Sequence, residues 1–305
     1  MKNATRSLRE KHQKQFVKIF DGLTGKYSRW EIWQDFIYLV AIEISNAVDL
    51  ANKQERAKTY QTLMKKYGEA DRKAFAEMFN AVVMGMERSQ NHDFLGELYM
   101  MLNLGNSQAG QFFTPYDVCA AMAMMAAEDL KSQIEEKHWV SVNDPACGAG
   151  ATLLAFADEC MIQGVNYQTS VLFVAQDVDY IVGLMCYIQL SLRGCPGYVV
   201  VGNTLTNPSV CLDERALIPV HGKNVWYTPF YFREVWHFRR LWAQIDLMFR
   251  PATKPETEQK DAQPISERGD NPTPLKKKER VKPVATTSEG QEIFKETKTG
   301  QLTLF

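Results

Sequence analysis

The stretch "NDPACGAGATL", residues 143–153, decides how this chain is to be read. It follows the short apolar run "HWVSV" and leads into "LLAFADECMIQG", whose apolar residues recur at helical spacing, so it reads as a loop between a strand and a helix. Gly148 and Gly150 let the backbone approach a ligand closely and turn into the helix, while Asp144 puts a carboxylate at the strand tip. The spacing does not fit a nicotinamide site, because G-x-G-x-x-G should follow the strand directly and position 153 is Leu. A cationic ligand suits the acidic residue better than a pyrophosphate does.

Working outward, "VLFVAQD" (171–177) and "GYVVVGN" (197–203) are further short Val-rich runs bounded by turn residues. Between the runs lie "GATLLAFADECMIQG" and "YIVGLMCYIQLSLRG", each ending in a glycine of the kind that closes helices. Strands alternating with helices at this spacing predict a parallel, doubly wound α/β sheet over about residues 106–250. Ligands of such sheets bind at the carboxyl ends of the strands. At the second tip stands Asp177, placed to accept hydrogen bonds from both hydroxyls of a ribose; Asp179, two residues further on, is the weaker candidate. At the third tip stands Asn203, within reach of an adenine edge.

Together, "GQFFTP" (110–115), "DPACGAG" (144–150), "AQDVD" (175–179) and "GNTL" (202–205) resemble the N6-adenine DNA methyltransferases, most closely the modification subunits of type I restriction systems. The resemblance covers roughly residues 90–230. It implies a Rossmann-like methyltransferase sheet preceded by a helical domain, S-adenosylmethionine as cofactor and DNA as substrate. By this resemblance Phe112 and Thr114 line the methionine end of the cofactor, and Asp144 lies near its charged moiety. Asp177 then holds the ribose and Asn203 meets the adenine, with Pro145, Ala146, Cys147, Gly148 and Gly150 completing the loop. Cys147 has no base implied beside it and reads as a small packing residue rather than a nucleophile.

The family also needs a catalytic segment, Asn, Asp or Ser followed by Pro-Pro and an aromatic, at the tip of the fourth strand. There the side chain and a backbone carbonyl orient the target amine, and the ring stacks on the flipped base. This chain departs from that pattern. "TNPSV" (206–210) has Asn and Pro but starts directly after "GNTL", in the third strand's loop. The better-spaced "WYTPF" (226–230) keeps Pro229 and Phe230 but has Tyr227 and Thr228 in the first two positions, neither reproducing the planar acceptor of an amide. Beyond it only "REVWHFRRLWAQIDLMFR" remains before the polar tail. That stretch reads as a helix with Trp236, Arg239 and Arg240 near one another; the remaining strands of the sheet and a target-recognition domain are not visible, so a truncated sheet and a separate specificity partner are expected.

Residues 1–105 read as a helical domain. Trp30, Trp33, Ile37, Val40 and Ile44 fall on one face of a helix that Ser28 and Glu31 cap as an S-x-x-E box. Phe75, Met78, Phe79, Val82 and Met86 repeat the period, and "DFLGELYMML" does so again from Asp93; such stripes read as ordinary core. A formal net charge of −1 argues against autonomous tight DNA binding and leaves room for a local patch. The six cysteines show no C-x-x-C pairing, the polar start carries no secretory signal, and no apolar run is long enough for a bilayer. A soluble cytoplasmic protein with reduced thiols and no metal is therefore expected.

Residues 251–300 hold half of the twelve prolines and Phe294 as the one aromatic, the composition of a disordered linker. "KKKERVK" (276–282) reads either as a nucleic-acid contact or, more plainly, as a solvated charge run. The last five residues, "QLTLF", resemble the peptide through which bacterial replication and repair proteins bind the sliding clamp. That resemblance implies Gln301, Leu302, Leu304 and Phe305 as partner-binding residues, held on a tether spanning on the order of 40 Å. Two functions stay open: an adenine-specific DNA methyltransferase recruited through the clamp, or a degenerate methyltransferase-like adaptor that binds cofactor or clamp without methylating.

Overall fold

The computed structural model describes residues 2–88, 92–104, 113–220, 224–249, 294–296 and 301–304. Five helices come first: α1 (Lys2–Leu23), α2 (Arg29–Asn46), α3 (Lys53–Met64), α4 (Glu69–Arg88) and α5 (Phe94–Met101). Ser28 is extended (φ −69°, ψ 149°), and its hydroxyl accepts the Glu31 amide at 3.2 Å, the N-terminal arm of the expected capping box. Trp33, Ile37 and Val40 are buried as the periodicity predicts, but Trp30 is partly exposed while Phe36, Leu39 and Ile42 are buried too. The buried face is wider because α2 has neighbours on two sides: Phe16 of α1 packs its ring against Trp33 and Phe36, and a helix of the sheet domain packs elsewhere along it.

The second half alternates strands with helices: α6 (Tyr116–Ala126), α7 (Leu130–Lys137), β1 (Val140–Asp144), α8 (Ala151–Ile162), α9 (Tyr167–Ser170), β2 (Val171–Asp177), α10 (Tyr180–Leu192) and β3 (Gly197–Val201). Then follow β4 (Val225–Tyr227), a 3-10 turn (Pro229–Phe232), α11 (Glu234–Phe249), β5 (Phe294–Glu296) and β6 (Gln301–Leu304). The strands lie in the order β4-β3-β2-β1-β6-β5. β1, β2 and β3 are parallel, with Asp144 opposite Ala175 and Asp177 opposite Val201, so their carboxyl tips form one rim. Val142, Phe173 and Val199 point into a core shared with α8, α10 and the N-terminal helices. Leu172, Val174 and Tyr198 point the other way, into a second cluster with Trp236 of α11 and Leu217. The period of two along each strand thus feeds two apolar layers, and the helical zone and the sheet share the first of them.

β4 departs from expectation. It runs antiparallel to β3, with Tyr198 opposite Tyr227 and Val200 opposite Val225, on the edge remote from β1. A parallel return needs a crossover, usually helical; the described residues between β3 and β4 contain no helix, so the chain comes back as an antiparallel neighbour. The place beside β1 is taken instead by the backbone of β6, parallel to it, with Val142 opposite Leu302 and Asn143 opposite Thr303. β5 pairs antiparallel with β6. Apart from β5, the segment expected to be a linker lies outside the described residues, as does Phe305. No described helix is long and apolar enough to cross a membrane.

Arg56 of α3 clasps the helical layer to the sheet edge. Its guanidinium pairs with Asp49 at 2.7 Å, meets the Ser45 hydroxyl, donates to the Val225 carbonyl at 2.9 Å and lies 3.8 Å from the Trp226 ring centroid. Both partners of the ion pair are buried. Removing one member of a buried pair strands the other charge, so Arg56→Ala is expected to lower unfolding free energy by about 3–5 kcal/mol, read by urea denaturation.

Candidate functional site

The glycine loop stands at the carboxyl tip of β1 and is sewn to its neighbours by backbone donors. Asp144 is buried; it accepts the Ala146 amide at 3.1 Å on Oδ1 and the Thr152 hydroxyl on Oδ2. The Cys147 amide donates to the Gln176 carbonyl at 3.0 Å, and the Gly148 amide donates to Asp177 Oδ2 at 2.9 Å. Thr204 Oγ1 donates to the Pro145 carbonyl at 2.5 Å, joining the third strand's loop to the first. Gly150 has φ +96°, and a Cβ there would lie 2.8 Å from Cys186 Sγ. Conformation and space both require glycine at that position.

A cavity of about 310 Å³ opens beside this loop, lined among others by Asp93, Phe113, Thr114, Asp144, Gly148 and Thr152. Among the described residues its lining includes no Lys, Arg or His. Burial raises the pKa of both Asp144 and Asp177 above the ordinary aspartate value, and hydrogen bonds from Thr152 and Ala146 to the first and from Asp179 and Gly148 to the second oppose that shift. Cys147 is buried; a thiol contact with Cys186, together with that burial, pushes it well above the usual thiol range, which leaves it a packing group.

Thr114 lies on the cavity wall. Phe112 lies outside the described residues, and the ring on the wall is that of Phe113, 5.5 Å from the Tyr99 ring; a Cβ on Gly148 would come within 3.3 Å of it. Asp177 keeps its carboxylate at the rim, where Oδ1 also accepts the Asp179 amide at 2.9 Å. Asp179 caps α10, accepting the Ile181 and Val182 amides. Asn203 is exposed at the third tip, its Oδ1 accepting the Leu205 and Thr206 amides at 2.9 and 3.2 Å, an Asx turn that leaves Nδ2 as donor.

Two buried groups at this site escaped the sequence reading. Asp93 caps α5, accepting the Gly96 amide at 2.8 Å, and Gln189 Nε2 donates to the same Asp93 Oδ1 at 2.7 Å and to the Ala149 carbonyl at 2.8 Å. Gln189 Oε1 accepts the Leu95 amide at 3.1 Å. Asp93 was legible only as the start of a helical run. Gln189 left no signal, since one amide in an apolar helix looks like an interruption.

Tyr227, Thr228, Pro229 and Phe230 are not brought to these tips. The register of β4 puts them at the amino end of β3, the opposite rim. Thr228 is buried, its hydroxyl donating to the Cys195 carbonyl at 2.7 Å and accepting the Gly197 amide at 3.0 Å. Tyr227 stacks on Tyr231, and Phe230 lies against Gly194. "TNPSV" does lie in the third strand's loop, where Gln176 Nε2 donates to the Asn207 carbonyl at 2.8 Å.

A family model described as N-6 DNA methylase matches residues 90–261, more than half of the 305 residues. The chain belongs to the N-6 DNA methylase family. Its glycine loop, Asp177 and Asn203 therefore sit in a domain of the kind their order along the chain implied. Among solved structures, one assigned to the class I S-adenosylmethionine-dependent methyltransferases, from Listeria monocytogenes, is similar at 16% identity and a TM-score of 0.33. The match covers 66% of this chain and 56% of that one, so the chain spans little more than half the length of that structure. No curated protein matches it.

Burial pushes the Asp93 carboxyl up to about 6, against about 3.9 for an exposed aspartate. The folded chain then binds this proton more tightly than the unfolded chain does. The group's stabilising contribution is full below about pH 4, declines between about pH 4 and 6, and above that ionisation leaves the fold roughly 3 kcal/mol worse off. Asp93→Asn keeps an oxygen for Gly96 and Gln189 and removes the titration. Urea denaturation across this window should show the decline in the native chain and a flat profile, for this term, in the variant.

Proposed function

We propose that this chain binds S-adenosylmethionine in the cavity between the glycine loop and the start of α5, and serves as the cofactor-binding part of an adenine-N6 DNA methyltransferase. The observation that carries the reading is the cavity itself: the carboxyl groups of Asp93 and Asp144 on largely apolar walls with no basic residue among the described lining, and Asp177 at the neighbouring strand tip, its Oδ2 accepting the Gly148 amide of the same loop. Those residues fit a ligand that is cationic at one end and carries a ribose. The cofactor would supply a methyl group on a sulfonium centre. The chain's own residues would do the rest of the binding: Asp93 and Asp144 opposite the cationic end, Asp177 accepting from the ribose hydroxyls, and Asn203 Nδ2 donating to a ring nitrogen of the adenine.

DNA sequence would be read by a separate specificity partner, a reading supported by the formal net charge of −1, which gives little phosphate attraction of its own. Recruitment would come from the terminal peptide, with Gln301, Leu302, Leu304 and Phe305 entering a sliding clamp in extended form. The backbone of Gln301–Leu304 pairs with β1, so clamp binding and closure of that edge exclude each other.

The second reading, an adaptor that binds cofactor without methyl transfer, is favoured by the place of Tyr227–Phe230 at the rim opposite the cofactor loops. Two measurements separate the readings. Calorimetry should give saturable S-adenosylmethionine binding, weakened about tenfold by Asp93→Asn, the loss of one partly buried charge contact; no binding would exclude the enzyme. Transfer of labelled methyl to DNA, with clamp and cell extract supplied, should occur for the enzyme, whereas binding without transfer identifies the adaptor. Pull-down with purified bacterial clamp should recover the intact chain and fail with Leu304→Ala/Phe305→Ala; equal recovery would reject the peptide as the contact.

A further inference from the structure

One face of α11 packs on the molecule and the other is bare. Toward the body, Trp236 is buried and donates to the Gln168 carbonyl at 2.8 Å, Arg239 donates to the Thr169 carbonyl at 2.5 Å, and Arg240 meets the Tyr231 carbonyl. On the bare side Phe238 is 64% exposed, Trp242 74%, Met248 79% and Phe249 83%, with Val235, Leu241 and Ile245 partly exposed around them. Val235, Phe238, Trp242, Ile245 and Phe249 follow the alternating three- and four-residue spacing of a helix-pairing seam. Under the flank of that seam lies a hollow of about 620 Å³ between α11, the Lys137–Trp139 turn and the Arg215 loop, with Phe238 and Trp242 on its wall.

We infer that this face pairs with the same face of a second copy, related by a two-fold axis, and that the chain is a dimer through α11. The inference is independent of the cofactor reading. Three observations favour this occupant. The segment that follows the helix has no composition for covering the face: residues 251–293 contain no Phe, Trp or Tyr and no apolar stripe at helical spacing. The exposed apolar area, with roughly 150–250 Å² for each aromatic side chain, comes to several hundred Å² and approaches the ~800 Å² per partner of a stable association; single monomers rarely leave such a patch open. A two-fold contact also needs one surface that is both knob and socket, and here the projecting aromatics stand beside a hollow. A membrane surface is disfavoured because the helix has no Lys, and Arg239 and Arg240, which would have to face the lipid headgroups, are bonded to carbonyls of the body.

Sedimentation velocity on the full chain tests this. The native protein should sediment as a dimer at concentrations of about 10 µM, in the micromolar-or-tighter range of interfaces this size. Phe238→Asp/Trp242→Asp should raise the dissociation constant at least ~100-fold, since two central aromatic anchors are lost, with cooperative thermal unfolding retained. Should that variant unfold, Met248→Asp/Phe249→Asp, at the most exposed end of the seam, gives the same reading. A native chain that stays monomeric at about 100 µM, well above that range, overturns the proposal even if some other protein binds the helix. A dimer that persists in both folded variants overturns it too.

Discussion

Gln189 is the side chain on which the geometry of this molecule turns. It lies fully buried in α10, a helix whose other buried residues are apolar apart from Ser191, and it uses both its amide nitrogen and its oxygen. One hydrogen goes to Asp93, the other to the Ala149 carbonyl in the glycine loop, and the oxygen takes the Leu95 amide at the start of α5. A buried amide satisfied in this way holds three elements at hydrogen-bond distance, and any of them left unpaired would cost about 1–3 kcal/mol. The start of the last N-terminal helix, the loop after β1 and the helix after β2 are thereby fixed around one cavity. Asp93 owes its raised proton affinity to this burial.

The electrostatic character of that cavity follows from the same packing. Acidic groups stand in or beside it at three places, Asp93, Asp144 and Asp177, and each is held by backbone or side-chain donors rather than by a cation of the protein. Burial pushes all three carboxyl groups up while the donors oppose it, so a cation entering the cavity would favour the ionised form by pairing with it. A site built so attracts positive charge and repels phosphate. This distinguishes it physically from the dinucleotide sites that share its glycine-bearing turn, and agrees with membership of the N-6 DNA methylase family.

The sheet is asymmetric. Its β3 edge is closed by a short antiparallel strand, held by Thr228 and clasped by Arg56, while its β1 edge takes the backbone of the chain's last strand. An unpaired parallel edge in the middle of a sheet would expose a row of donors and acceptors; β6 satisfies those of β1. The position beside β1 is thereby filled by a segment far away in sequence, and Tyr227–Phe230 close the opposite rim.

What the sequence by itself determined were the features that depend on a few neighbouring residues. The glycine loop, the three parallel strands, the Ser28 cap, and Asp177 and Asn203 at strand tips were all legible, because turn stereochemistry, side-chain period and capping are local. What only the tertiary structure decided were the features set by pairing between distant segments. The direction of β4, and with it the fate of Tyr227–Phe230, depends on which edge the chain meets after β3. The role of Asp93 depends on Gln189, 96 positions away. The bare face of α11 is invisible in a pattern that would serve a buried helix equally well. Local rules constrain dihedrals and faces; burial and partnership are properties of the whole packing, and no short stretch contains them.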